Sequence, residues 1–136
     1  MLIKSYDIDK NFSKNDCYKY ITKFFVDNKI TTDQYYEAIL HREKQASFFI
    51  GNFVAIPHGS IECKDSIIGD GIVIFRFKNG IEWDNKKVYY VIGIAAKGNK
   101  QVDILQNIAI SFSSEEAVID SLMIPNKSLI EKLEWK

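Results

Sequence analysis

The sequence predicts a mixed α/β fold, with a mixed parallel and antiparallel sheet of about five strands between helices on both faces. Two segments in the middle of the chain, residues 71–77 and 88–96, are rich in β-branched and aromatic residues, as strands are. Segments with apolar residues at helical spacing precede and follow them. The predicted element order is β-α-α-β-β-β-α-α-α, and the short links between the middle strands predict that part of the sheet is antiparallel.

Two helices are predicted after a short apolar first strand at residues 2–3. Asn15 or Asp16 can cap the first helix, which reads DCYKYITKFFVDNK. Thr31 or Thr32 can cap the second, which reads TDQYYEAILHREK. The predicted apolar faces are Tyr18, Ile21, Phe24 and Phe25 in the first helix and Tyr36, Ile39 and Leu40 in the second. The short link between the two helices predicts that they pack as neighbours.

Turn residues divide the middle of the chain into strands. The stretch FFIGNFVAIPHG is apolar and interrupted by Gly51, which predicts a turn and then a short strand ending at Pro57. The Lys-Asn-Gly sequence at residues 78–80 predicts the turn before the strand at residues 88–96. That last strand is a continuous apolar run, as expected for a strand that is buried on both faces.

Three helices are predicted to complete the chain. Residues 100–112 form the first, and Ser113 with Glu116 makes a capping box for the second. Pro125 separates the second from a last amphipathic helix at residues 128–135. The predicted apolar stripe of the first of these helices is Val102, Leu105, Ile108 and Ala109.

Composition sets limits on the class of protein. The 136 residues, 46% hydrophobic and 26% charged, fit one domain spanning residues 1–136. The 18 basic residues balance the 18 acidic ones, so a nucleic-acid binder is not expected. The chain has no long apolar run and no signal-like N-terminus, and Cys17 and Cys63 lack metal-ligand spacing. We therefore expect a cytoplasmic protein with reduced thiols.

His58 is the candidate nucleophile, since it lies at the end of an apolar, strand-like segment in the sequence FVAIPHGSIECKD. Pro57 fixes its own φ, and Gly59 allows close approach of the backbone, so the imidazole is presented on a defined loop. A neutral imidazole can attack a phosphoryl group at cytosolic pH. A histidine in a structural or solvated role is the competing interpretation.

Arg42 is the candidate cation for a phosphoryl group, because a guanidinium can hold two phosphoryl oxygens through its planar fork. Lys64 is nearer to His58 in sequence, but its loop does not fix its position. An exposed helical arginine followed by glutamate is also typical of a solvated helix face. His41, beside Arg42, is interpreted as a surface residue.

Three segments of the chain resemble one family. The sequences LHREK, IGNFVAIPHGSIECKD and VIGIAA, in this order, resemble the mannitol/fructose class of enzyme IIA of the phosphoenolpyruvate-dependent sugar phosphotransferase system. The Ile-Pro-His-Gly centre is highly specific to that class. The segment VIGIAAKGNKQVDIL, with Glu62, Lys64 and Asp65, looks most like the mannitol branch.

The resemblance implies a phosphotransferase that acts as a phosphocarrier for sugar uptake. His58 would take a phosphoryl group from the phosphohistidine of HPr and pass it to a cysteine of enzyme IIB, which phosphorylates sugar entering through enzyme IIC. Arg42 matches the arginine of the family, at the same spacing from the histidine. No cofactor or metal is implied. The sugar itself is not specified, because sugar specificity belongs to IIC.

Two positions depart from the family pattern. Relatives commonly carry a second histidine at the start of the helix after the VIGIAA strand, where this chain has Gln101. Glutamine can donate a hydrogen bond to a phosphoryl oxygen but cannot carry positive charge, so stabilisation of the phosphoryl group is expected to differ. The other position is His41, where relatives often have aspartate before the arginine.

Two other functions compete with the transport role. A regulatory IIA-like domain would use phosphorylation of His58 to control a transcriptional regulator or another partner, and Gln101 favours this because a sensor tolerates slow transfer. The absence of an attached DNA-binding segment favours a freestanding transport component. A small hydrolase using His58 is the third, but the sequence has no G-x-S-x-G motif.

The surface for HPr and IIB is expected to be a small apolar patch around His58. Three phenylalanines flank the loop: Phe48, Phe49 and Phe53. Exposure on this patch and packing in the core are the two interpretations of these side chains.

Overall fold

The computed structural model describes residues 1–133, which form five strands, five α-helices and one 3₁₀ helix. The strands are β1 (Leu2–Asp7), β2 (Phe49–Gly51), β3 (Val54–Ala55), β4 (Gly71–Trp83) and β5 (Lys86–Ala95). The helices are α1 (Lys14–Asp27), α2 (Tyr35–Glu43), α3 (Asn99–Ser111), α4 (Glu115–Ser121) and α5 (Asn126–Leu133), and the 3₁₀ helix spans Ile61–Ser66. The predicted mixed α/β class is confirmed.

All five strands belong to one sheet in the order β1-β4-β5-β3-β2. The β1–β4 and β3–β5 pairs are parallel, whereas the β4–β5 and β2–β3 pairs are antiparallel. The sheet is therefore mixed, as predicted. The carboxyl ends of β3 and β5 meet at one edge because these two strands are parallel neighbours.

Helices cover both faces of the sheet, as predicted, because successive side chains of a strand point to opposite faces. On β4, Val73 and Phe75 belong to a core cluster with α1 and α2. Ile72 and Ile74 belong to a second cluster with the three C-terminal helices. The sheet is thus the middle layer of three, which explains why its central strands are apolar on both faces.

The predicted starts of the first two helices were wrong. Ser13 caps α1: its hydroxyl accepts the Asp16 N–H at 3.1 Å, and the Asp16 carboxylate accepts the Ser13 N–H at 2.9 Å. Asp16 is therefore the third residue of a capping box. The second helix begins only at Tyr35, because Thr31 is extended in a bridge to Ile67 and a turn follows.

The buried face of α2 also differs from the prediction. Tyr35, Ala38 and Ile39 are buried, whereas Tyr36 and Leu40 are only partly buried. The buried face is rotated toward Tyr35. The sequence did not predict this, because either of the two adjacent tyrosines could begin an apolar face at helical spacing. In α1 the prediction was closer: Tyr18, Ile21 and Phe25 are buried, as are Cys17 and Thr22.

Two strand boundaries also differ from the prediction. The segment before His58 forms a hairpin of two strands, β2 and β3, where one strand was expected. Strand β4 continues through residues 78–80 with an irregularity in its register, and no turn occurs there. The chain reverses at Asp84 and Asn85, whose φ angles are +50° and +67°. These two residue types tolerate the left-handed conformation that tight hairpins require.

The C-terminal helices need three corrections. In α3 the fully buried residues are Ile104 and Ile108, whereas Val102 is 49% exposed. The apolar residues of α3 occupy more than one face of the helix, and only one of these faces packs against the sheet. The cap of α4 is Ser114, whose hydroxyl accepts the Ala117 N–H, and not Ser113. The last helix begins at Asn126, and the end of its predicted span, residues 134–135, lies outside the described residues.

Three further observations bear on the expected chemistry. Cys17 and Cys63 are free thiols, and burial raises the pKa of Cys17 to about 12, so that thiol stays protonated. No helix within residues 1–133 is long and apolar enough to cross a bilayer. Over the same residues, no group of three or more His, Cys, Asp and Glu side chains is arranged to hold a metal ion.

Candidate functional site

His58 lies at the carboxyl edge of the sheet, just beyond β3. Pro57 and His58 continue the extended path of β3 alongside β5, where His58 forms a parallel bridge with Ile94. The Ile94 N–H donates to the Pro57 oxygen at 3.1 Å. The histidine thus follows a strand, as predicted, and is also held beside the buried central strand β5.

The imidazole of His58 is buried, and the residue is 4% exposed. Its Nδ1 lies 2.7 Å from the main-chain oxygen of Ile56. A carbonyl oxygen only accepts hydrogen bonds, so Nδ1 carries the ring proton and the neutral ring has its lone pair on Nε2. Burial lowers the pKa of His58 below its ordinary value, the Ile56 hydrogen bond opposes this, and the charge of Arg42 adds to the lowering. The ring is therefore neutral at neutral pH.

Arg42 lies near His58, with one aromatic ring between them. Its guanidinium carbon is 5.6 Å from the centre of the Phe48 ring, and that ring is 5.3 Å from the ring of His58. One guanidinium nitrogen donates to the Ala46 oxygen at 3.0 Å, which holds the end of α2. The other N–H groups of this fork are donors of the kind that bind phosphoryl oxygens.

Gln101 lies in the first turn of α3, which follows β5 by a short link. Because β5 passes His58 at Ile94, the start of α3 lies at the same edge of the sheet as the histidine. Gly98 precedes the helix with φ +58° and provides no side-chain cap, and its main-chain oxygen accepts the Gln101 N–H at 3.2 Å. Lys100 forms an ion pair with Asp70 at 2.7 Å, which anchors this turn.

Comparison with protein families decides the class of the chain. The family described as "Phosphoenolpyruvate-dependent sugar phosphotransferase system, EIIA 2" matches residues 3–133. The chain belongs to this family. The resemblance inferred from the sequence is thereby confirmed, and the chain is an enzyme IIA with phosphotransferase function in that system.

Curated relatives of this enzyme IIA carry the mannitol name. The mannitol-specific phosphotransferase enzyme IIA component of Staphylococcus aureus strain Mu50 is 41% identical over 106 residues, covering 78% of this chain and 74% of the relative. The component of the same name from Bacillus subtilis strain 168 is 39% identical over 107 residues, covering 78% and 75%. These relatives agree with the mannitol branch that the sequence indicated.

Solved structures share the fold of this enzyme IIA. The crystal structure of IIA mannitol from Escherichia coli has a TM-score of 0.82 at 22% identity and covers 96% of each chain. The complex of enzyme IIAMtl with phosphorylated enzyme IIBMtl from Escherichia coli also has a TM-score of 0.82, at 24% identity, covering 97% of this chain and 98% of that one. At these identities the likeness establishes the fold alone.

His41 and Lys64 lie on the surface of this enzyme IIA. The Nε2 atom of His41 is 2.9 Å from a carboxylate oxygen of Glu62, and both side chains are largely exposed. They line an open groove of about 870 Å³ between α2 and the 3₁₀ helix, which His58 does not line. Lys64 is exposed on the 3₁₀ helix. The candidate acceptor therefore lies outside this groove.

The three phenylalanines near the loop have separate roles in packing. Phe48 is buried against His58 and Tyr18, so packing in the core is its role. Phe49 and Phe53 are half-buried, and Phe53 packs against Tyr89. The exposed apolar side chain close to His58 in sequence is instead Ile61, which is 71% exposed.

Tyr35 contacts the His58 loop and was missed by sequence reasoning. Its hydroxyl accepts the Gly59 N–H at 2.8 Å and donates to the Ile94 oxygen. The only signal in the sequence was the adjacent tyrosine pair at the start of α2, of which Tyr36 was assigned to the buried face.

Proposed function

We propose that this chain accepts a phosphoryl group on Nε2 of His58 from the phosphohistidine of HPr and passes it to a cysteine of a mannitol-type enzyme IIB. The observation that carries the proposal is the hydrogen bond from Nδ1 of His58 to the Ile56 oxygen, which leaves the lone pair on Nε2. The lowered pKa keeps that lone pair available at neutral pH.

The reaction needs one bond to form and one to break at each transfer. The Nε2 lone pair attacks phosphorus, the N–P bond of the donor breaks, and its electron pair stays on the donor nitrogen. The Nδ1 proton remains on the ring, held by the Ile56 oxygen. In the second transfer a thiolate of IIB attacks phosphorus and the electron pair returns to Nε2. No external oxidant, reductant or cofactor enters either step.

Arg42 and the first turn of α3 stabilise the transferred group in this proposal. Three phosphoryl oxygens carry the negative charge, and preorganised donors around them lower the barrier. Arg42 offers a planar cationic fork from one side. Gln101, in the first turn of α3, offers a neutral amide donor from the other.

The relatives support the mannitol assignment and the partners. Proteins that are 39–41% identical to this chain are named mannitol-specific, and the name of one structure with the same fold includes phosphorylated IIB. We place the protein in the cytoplasm, where HPr and the IIB domain would meet it, with residues 1–136 acting as a single domain.

Phosphorylation of the purified protein tests the proposal. The protein is incubated with phosphoenolpyruvate, enzyme I and HPr, and intact mass is measured for the wild type, His58→Gln and the matched control His41→Gln. The wild type and His41→Gln should gain one acid-labile phosphoryl group, and His58→Gln should gain none. No gain in the wild type, with an HPr that phosphorylates another IIA, would overturn the proposal.

Onward transfer separates the transport role from the regulatory one. Addition of a mannitol-type IIB should discharge phosphorylated His58, whereas its Cys→Ser variant should not. Arg42→Lys should slow both transfers by about tenfold, since an ammonium cannot hold two oxygens through a fork. Persistence of the phosphoryl group with active IIB domains of the mannitol and fructose types would favour a regulatory domain.

A further inference from the structure

The two residues that flank His58 are both tied to Ile94. The Pro57 oxygen accepts the Ile94 N–H directly at 3.1 Å. The Gly59 N–H reaches the Ile94 oxygen through the hydroxyl of Tyr35, which accepts from the first and donates to the second. The main chain of His58 is therefore fixed on both sides against one residue of β5.

We propose that Tyr35 is a positioning residue for phosphoryl transfer, whose hydroxyl sets the main-chain position of His58 by bridging Gly59 to Ile94. This inference rests on the proposed role of His58 as the phosphoryl acceptor. It adds a residue of α2 that does not touch the reacting atoms and acts through the loop.

The state of the hydroxyl suits this bridge. Tyr35 is fully buried, and burial raises its pKa well above the usual value of a tyrosine, against the opposing effect of the Gly59 hydrogen bond. The phenol therefore keeps its proton and can donate to the Ile94 oxygen while it accepts from Gly59. Within the buried loop no solvent replaces these bonds, so a phenylalanine would remove the hydroxyl that links the Gly59 N–H to the Ile94 oxygen.

Close packing of the ring adds a second constraint. A Cβ atom placed on Gly59 would lie 2.6 Å from Cε1 of Tyr35 and 3.2 Å from the Cβ of Ala38. Position 59 thus requires glycine because the tyrosine ring and α2 lie directly against it. The ring and the hydroxyl together leave the loop little freedom to move toward or away from α2.

Positioning affects the rate because reacting atoms must align to within a fraction of an ångström, and misplacement of about 1 Å can cost about a hundredfold in rate. Loss of one of the two ties to Ile94 should also weaken the Nδ1 bond to Ile56, which depends on the same loop. The His58 ring would then carry its proton on Nδ1 in a smaller fraction of molecules and on Nε2 in a larger one.

The test compares Tyr35→Phe with Tyr90→Phe, a matched control. Tyr90 is also fully buried, and its hydroxyl bonds to Ser121 on the opposite face of the sheet. For each protein we would measure stability in urea, the single-turnover rate of transfer from phospho-HPr, and the ¹⁵N shifts of the His58 ring.

Tyr35→Phe should slow transfer by about tenfold and move the ¹⁵N shifts toward an average of the two tautomers, whereas Tyr90→Phe should change neither. Gly59→Ala, which pushes the loop away from the Tyr35 ring, should also slow transfer. It replaces Tyr35→Phe as the test variant if Tyr35→Phe does not fold.

Wild-type rate and ¹⁵N shifts in the folded Tyr35→Phe protein, or in Gly59→Ala where only that variant folds, would overturn the inference. An equal fall in the transfer rate of Tyr35→Phe and Tyr90→Phe would also overturn the inference. Failure of the wild type to be phosphorylated at His58 would instead overturn the proposed function.

Discussion

The two ring nitrogens of His58 have different surroundings, and this difference sets its chemistry. Nδ1 is bound to the Ile56 oxygen inside the protein, whereas Nε2 is the nitrogen left to react. Burial of the ring, and to a smaller extent the charge of Arg42, lowers the pKa of His58 and disfavours the imidazolium. The ring that receives the phosphoryl group in the proposed function is thus neutral, with Nε2 unprotonated.

The lowered pKa of His58 predicts the pH dependence of transfer. Neutral imidazole is the nucleophile, so the rate should stay constant from about pH 8 down to about pH 6.5 and fall only at lower pH. The measurement is the single-turnover rate of the wild type, with the His58 pKa followed separately by NMR. A half-maximal rate at or above about pH 6.5, matched by the NMR titration, would contradict the prediction.

The same shift links His58 to stability with a defined sign. The folded-state pKa lies below the unfolded one, so the unfolded chain takes up more protons as pH falls through about 6.5. The favourable contribution of His58 is complete above that pH and is lost below it. His58→Gln should therefore show a smaller loss of stability between about pH 7 and about pH 5.5 than the wild type.

At the residue scale, the sequence singled out His58 because it lies between Pro57 and Gly59, which have defined backbone effects. It proposed Arg42 from the planar fork of its guanidinium and from the match to the family pattern, and that role stays a prediction. It could not find Tyr35, because adjacent tyrosines in a nine-residue helix differ by about 100° in direction and too few turns exist to fix the phase.

At the level of elements, α1 packs onto β5 without room for a side chain at position 93. A Cβ on Gly93 would lie 2.7 Å and 2.8 Å from two atoms of Ile21, whose side chain is fully buried. The helix therefore approaches the sheet closely, and this approach holds α1 and the attached α2 in place over the loop that carries His58.

Gly93→Ala should destabilise the protein by about 1–3 kcal/mol, because the added methyl group forces Ile21 or α1 to shift. Gly69→Ala is the matched control, since no atom lies within 4 Å of a Cβ at that position. Its effect should be below about 1 kcal/mol. Urea unfolding measures both, and similar losses in the two variants would show that close packing at Gly93 is not the cause.

The existence of the main elements could be predicted from periodicity, but several boundaries could not. A local Lys-Asn-Gly signal at residues 78–80 was overridden by pairing with β5, which continues past it to the turn at Asp84 and Asn85. Likewise, Ser13 rather than Asp16 caps α1. The sequence did not separate the two, because both residues of a capping box can act as helix caps.

For the molecule as a whole, Arg76 joins the first strand to the last helices. Its guanidinium is 2% exposed and binds both carboxylate oxygens of Asp7, at 2.6 Å and 3.1 Å. It also donates to the main-chain oxygens of Ser121 and Ile124 at 3.2 Å and 2.7 Å. One side chain of β4 thus connects β1 with the link between α4 and α5.

Arg76→Lys should destabilise the protein by about 2–4 kcal/mol, because an ammonium cannot make these four bonds and leaves buried carbonyls without partners. Lys23→Ala, which breaks the exposed ion pair with Asp27, should cost no more than about 0.5 kcal/mol. Urea unfolding compares them, with the transfer rate as a check that the site persists. An Arg76→Lys loss as small as that of Lys23→Ala would contradict this role.

The layered architecture followed from the sequence, since both central strands are apolar on successive residues and helices precede and follow them. The strand order did not follow. The parallel pairs β1–β4 and β3–β5 join distant segments, and no local pattern specifies which distant strand lies beside which. The position of α3 beside His58 depends on that order, so the placement of Gln101 rested on resemblance alone.

The partner of Nδ1 in His58 is a main-chain oxygen, and this has an evolutionary consequence. A carbonyl is present at position 56 whatever side chain occupies it, so no point substitution there deletes the acceptor. Substitutions at position 56 therefore keep the acceptor that holds the proton on Nδ1 of His58. Side chains at positions that depart from the family pattern, such as 41 and 101, can diverge between descendants and change rate or partner preference while the nitrogen bound to the Ile56 oxygen stays the same.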